Sequence, residues 1–149
     1  MIRGALSTSC GTDKLEPPGA VVQEISVADL TGHIHPRVWP GLIDTGADRS
    51  VIPLSICDDL RLTPRDMRSP SGFDPTLPRH QVPRYYVQVQ VGGVESVPLL
   101  VYGVQRSTIL LGRDFLRKLA LVFDSPSRRF AVGEHRRFTR FLLNFLPLR

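Results

Sequence analysis

The chain has 149 residues, enough for one domain, and its 42% hydrophobic content is enough to build a core. Its net charge of +5 comes almost wholly from arginine, the two lysines being Lys14 and Lys118, and no apolar run approaches the ~18 residues of a membrane span. Thirteen prolines and twelve glycines among many valines and leucines suit short strands and turns better than helices.

Met1 to Pro18 mixes Ser, Thr, Gly, Lys and Pro without periodicity and reads as a flexible N-terminal arm, 1–18. No apolar signal-peptide core is seen there. Cys10 and Cys57 lie in unlike contexts and lack metal spacing. Neither a disulfide framework nor a metal site is expected, and a reducing, cytoplasmic setting fits. Ala20 to Val27 is β-branched and reads as the first strand. His33 and His35 then alternate, placing both on one face if that stretch is a strand. Two ligands alone do not make a metal site, so they read as ordinary strand histidines.

Leu42–Ile43 is an apolar strand that delivers Asp44 into the small-residue turn Thr45-Gly46-Ala47, and Val51–Ile52 resumes the strand pattern. A carboxylate buried beside such a turn is costly unless something uses it, so Asp44 is the candidate catalytic acid. The alternative is a turn aspartate capping its own loop. Pro53 to Leu60 reads as a helical turn with Pro53 at its first position and Leu54, Cys57 and Leu60 recurring every three residues. Thr63 to Pro83 holds five prolines and few apolar residues, a long excursion of the kind used for lids and binding loops.

Tyr85 to Val91 alternates, with Val87, Val89 and Val91 on one face. Gly92–Gly93 reads as a two-residue hairpin turn and Val94 to Val101 as the returning strand, Pro98 marking an edge or bulge. Ser107 to Leu111 is a further apolar strand ending at Gly112. Asp114 to Ala120 reads as one short helix with Phe115, Leu116 and Leu119 on its inner side. Leu121 to Asp124 and Arg129 to Val132 frame the turn Ser125-Pro126-Ser127 as a final hairpin. The tail, 134–149, sets Phe138, Phe141, Leu142 and Phe145 at helical spacing with Arg136, Arg137 and Arg140 between them. Packing on the domain or a dimer partner, contact with a membrane surface or acidic partner, and partial disorder all fit that pattern.

Two apolar strands thus each run into a glycine turn, at Asp44-Thr45-Gly46 and at Gly112-Arg113-Asp114, with the long excursion between. Here the chain resembles the retropepsin-like aspartyl proteases of the single-domain, bacterial type. The resemblance rests on Ile43-Asp44-Thr45-Gly46-Ala47-Asp48, the flap-length insert, and Leu110-Leu111-Gly112-Arg113-Asp114-Phe115-Leu116 about 65 residues later. It covers roughly 21–132 within a domain placed at 19–133. It implies an all-β, retropepsin-like (acid protease) β-barrel with one short α-helix near the C-terminal end of the core.

It further implies an aspartic endopeptidase with no cofactor and no metal. Two carboxylates share one proton in such a site, and this chain has one Asp-Thr-Gly. The second must come from another copy, so a symmetric homodimer acting on a polypeptide substrate is implied. Asp44 is then catalytic, with Thr45 and Gly46 as active-site support. Gly46, Ala47, Asp48, Gly72 and Phe73 would touch substrate, and Asp48 would form a part-buried ion pair with Arg113. The candidate flap tip has one glycine, Gly72, among its prolines, which departs from the family's glycine-rich tips. A non-catalytic dimerisation or peptide-binding module on the same fold is the alternative. A nucleic-acid module is not expected, since exposed aromatics do not interleave with the basic residues.

Overall fold

The computed structural model describes residues 2–7, 19–70, 80–92, 94–124 and 129–134. Among these the chain forms β1 (Ile2–Ser7), β2 (Gly19–Ala28), β3 (Trp39–Ile43), β4 (Val51–Pro53), α1 (Leu54–Asp59), β5 (Asp66–Arg68), β6 (Val82–Val91), β7 (Val97–Val104), β8 (Ile109–Leu111), α2 (Arg113–Leu116), β9 (Leu119–Asp124) and β10 (Arg129–Glu134). Hydrogen-bonded neighbours run β5-β6-β7-β4-β8-β3-β2-β1-β10-β9. β6 also pairs with β2, so the run β6-β7-β4-β8-β3-β2 returns to its start.

The period-two pattern of β6 sets the core. Val87, Val89 and Val91 are fully buried, while Tyr86 and Gln90 face outward. Each buried valine contributes about 1.5–3 kcal/mol over an exposed one. They pack with Ile25 and Val27 of β2, Val101 of β7, Ile109 and Leu111 of β8, and Phe115 of α2. β2 slips register between Val22 and Ile25, and this bulge leaves Gln23 and Glu24 both exposed. Opposite the bulge, a Cβ on Gly41 would lie 2.1 Å from Ile25 Cδ1, so only glycine leaves that side chain its place.

Four local expectations are corrected. Ile2–Ser7 is a strand paired with both β10 and β2, not part of a loose arm, because the free edge of the final hairpin takes it up. His33 and His35 do not share a face: His33 is exposed and His35 buried, since Asp29 folds this stretch into a turn by accepting the Thr31 and His33 amides. The strand returning after β6 starts at Val97, which pairs with Val89, because Val94 is buried in the connection. The helix expected from Asp114 to Ala120 stops after one turn, and Leu119 instead enters β9 opposite Glu134. The hairpin of β9 and β10 pairs as the sequence pattern requires. The tail beyond Glu134 lies outside the described residues.

Candidate active site

β3 and β8 lie side by side and parallel, with Gly41, Leu42 and Ile43 opposite Ile109, Leu110 and Leu111. Their ends therefore reach the same level, and the two glycine turns emerge together. The Asp44 amide continues the ladder by donating to the Leu111 carbonyl at 3.0 Å.

Asp44 then leaves the strand. Its Oδ1 accepts the Gly46 amide at 3.0 Å and the Ala47 amide at 3.2 Å, the side-chain turn that Asp forms readily. Among the described residues its second oxygen accepts no hydrogen bond. Asp44 was expected to be buried. In this single chain it is half-buried, with Thr45 and Gly46 exposed beside it, because the turn projects past the strand ends. Asp44, Thr45, Gly46 and Ala47 share this one turn, and Asp48 follows, exposed.

The second turn locks against the first. The Arg113 amide donates to the Ala47 carbonyl at 2.8 Å and the Asp114 amide to the Asp48 carbonyl at 3.2 Å. Ser50, fully buried, makes the tie three-dimensional. Its hydroxyl donates to Asp114 Oδ1 at 2.7 Å and accepts the Gly112 amide at 3.0 Å, and its own amide donates to the same Oδ1 at 2.9 Å. The Phe115 amide adds a further donor to that oxygen at 2.9 Å. A Cβ on Gly112 would sit 2.5 Å from the Arg49 carbonyl carbon, so the backbones approach too closely for any side chain there.

Arg113 also pairs with Asp48, but both side chains are mostly exposed, at 59% and 83%. The expectation of a part-buried pair is corrected: water screens these charges, and the pair adds little to stability. Ser50 and Asp114 do the joining that was assigned to Asp48 and Arg113. By local pattern Asp114 belongs to a helix first turn, and Ser50 carries no charge to mark it. The available signal was a lone small hydroxyl directly before the apolar Val51–Ile52, at the point where the chain returns to the sheet. A recess of about 540 Å³ lined by Asp48, Arg49, Arg113, Asp114 and Arg117 flanks the locked turns without including Asp44. Gly72 and Phe73 lie outside the described residues. Among the described residues no group of three or more His, Cys, Asp or Glu is placed to hold a metal.

Two apolar strands paired in parallel thus run into interlocked glycine turns. Residues 19–118 match the family model described as "gag-polyprotein putative aspartyl protease", and the chain belongs to that family. It has the retropepsin-like fold. It is 29% identical over 110 residues to "Uncharacterized protein 7" of soybean chlorotic mottle virus, covering 73% of this chain and 74% of that one. A solved retropepsin-like aspartic protease from Rickettsia conorii is similar at a TM-score of 0.50 and 14% identity, over 76% of this chain and 91% of that one. The EIAV protease is similar at 0.43 and 20% identity, over 72% and 92%.

Proposed function

We propose that the protein is an aspartic endopeptidase whose two catalytic carboxylates are the Asp44 side chains of a homodimer. The observation that carries this reading is the state of Asp44. One oxygen is held by two backbone amides, and among the described residues the other accepts no hydrogen bond, on a turn that is doubly tied to its neighbour. A carboxylate spent on capping alone would gain nothing from a second turn locked beneath it.

Two such carboxylates brought together across a two-fold axis hold one proton between them. The ionised member takes a proton from water, and that water attacks the peptide carbonyl carbon. The protonated member gives its proton to the carbonyl oxygen, and the resulting diol then collapses with protonation of the leaving amine. The amides of Gly46 and Ala47 orient each carboxylate. Thr45 beside it is free to bond across the axis, and Gly46 leaves room for substrate backbone. Ala47, Asp48, Gly72 and Phe73 are assigned to the cleft walls.

The test is sedimentation together with peptide-library cleavage, on wild type and Asp44→Asn. A dimer that cleaves, and an Asp44→Asn dimer that does not, is the expected result. A dimer equally inert in both forms points to the binding-module alternative, and a wild type that is monomeric and inert at high concentration removes the enzyme reading.

A further inference from the structure

β5 is a poor strand by backbone alone. It has three residues, sits at the edge of the sheet, and faces Pro83, which has no amide to donate. A short edge strand of this kind is free to slip its register. One side-chain pair opposes that. Arg84 Nε donates to Asp66 Oδ1 at 2.7 Å and Arg84 Nη2 to Asp66 Oδ2 at 2.5 Å, a two-pronged contact directly across the rung that joins the strands. The Arg84 side chain is 12% exposed and that of Asp66 32%, so the pair is far better shielded than the one between Asp48 and Arg113.

The position of this rung matters. Asp66 lies opposite Arg84, Arg84 opposite Tyr102, Tyr102 opposite Val51, Val51 opposite Leu110, and Leu110 opposite Leu42. One transverse row therefore runs from the sheet edge to the strand that leads into Asp44. Val51 in that row directly follows Ser50, and the Tyr102 amide donates to the Ser50 carbonyl at 3.1 Å.

We propose that Asp66 and Arg84 are positioning residues, which hold the β5–β6 edge in register with the Asp44 turn and so set how tightly a polypeptide is engaged. This rests on the endopeptidase reading. An extended polypeptide binds a sheet-built site through main-chain hydrogen bonds, and these require neighbouring strands at the correct level. The Arg84 guanidinium holds the Asp66 carboxyl below its ordinary range, with Arg68 and Arg65 assisting. Its folded value is depressed, so the clamp is in place above the ordinary carboxylate range and is lost as pH falls through the lowered value.

The experiment compares wild type with Asp66→Asn, Arg84→Gln, Arg84→Lys and the exchanged double variant Asp66→Arg/Arg84→Asp. It measures peptide cleavage, thermal unfolding and amide hydrogen exchange. For Asp66→Asn and Arg84→Gln, KM rises about tenfold while kcat stays within about twofold. Arg84→Lys, which keeps the charge and loses the fork, falls between, and the exchanged variant recovers part of the loss. Exchange at the Arg65 amide, which donates to the Arg84 carbonyl at 2.7 Å, quickens in Asp66→Asn. An unchanged KM in an active enzyme, or a fall in kcat that merely tracks lost folded protein, overturns the proposal. If wild type cleaves no peptide, the endopeptidase reading fails and exchange alone decides. Unaltered protection at Arg65 then overturns the clamp, and quickened exchange sustains it.

Discussion

Ser50→Ala tests whether the two glycine turns are held together as described. The hydroxyl makes two contacts inside the protein, donating to Asp114 Oδ1 and accepting the Gly112 amide. Removing it leaves the buried Gly112 amide without that acceptor. Asp114 Oδ1 keeps the Ser50 and Phe115 amides and so is not stripped bare. An unsatisfied buried amide and one lost hydrogen bond to a charged acceptor together cost about 2–4 kcal/mol. Against a total stability of roughly 5–15 kcal/mol that is a large fraction. The assay is urea unfolding followed by the fluorescence of Trp39, the one tryptophan in the chain, which is buried on β3. At a slope of roughly 2 kcal/mol per molar urea, the midpoint falls by about 1–2 M. A loss below ~0.5 kcal/mol, the range of an ordinary surface substitution, would refute the lock.

Other substitutions probe the same architecture. Gly112→Ala drives a methyl into backbone and destabilises by about 1–3 kcal/mol or more, whereas Gly41→Ala meets first the terminal methyl of the Ile25 side chain, which can turn aside more readily than backbone, and costs less; urea unfolding ranks the two. In the neutral tautomer of His35 whose Nδ1 accepts the Arg37 amide at 3.1 Å and the Trp39 indole N–H at 3.4 Å, the ring's one N–H is at Nε2 and donates to Asp59 at 3.0 Å. His35→Phe removes all three contacts and costs about 1–3 kcal/mol, with the Trp39 emission shifting as its partner is lost. Burial, reinforced by Asp58, pushes the Cys57 thiol up to about 12 from 9.0. The unfolded chain loses that proton first, so Cys57 stabilises fully below about pH 9, and its contribution falls as pH rises from there towards 12. Unfolding free energies measured from pH 8.5 upward should therefore decline more steeply in wild type than in Cys57→Ala, and Cys57 in the folded protein should resist thiol reagents at neutral pH.

Much of the fold was legible in the sequence because burial imposes periods. Val87, Val89 and Val91 announce a half-buried strand by alternation alone, and Leu42–Ile43 and Ile109–Leu111 announce buried strands as unbroken apolar runs. Asp44-Thr45-Gly46 marks its turn by residue type. Local pattern failed where partners far along the chain decide. Ile2–Ser7 has no periodicity of its own and becomes a strand because β10 offers it an edge. Asp114 to Ala120 has helical spacing, yet only one turn forms, because β10 claims Leu119 and Ala120 for its own ladder.

The same division runs through the site. The sequence by itself determined which carboxylate ends an apolar strand in a small-residue turn, since that depends only on neighbours in the chain. It could not say what holds the turn. Asp48 and Arg113 carry opposite charges and so advertise themselves, but both stand in water, where screening removes most of their attraction. Ser50 carries no charge and sits 64 residues from Asp114 and 62 from Gly112. Only the tertiary pairing of β8 with both β3 and β4 brings these three together, with Ser50 and Gly112 buried, where a hydrogen bond counts for more than it does in water.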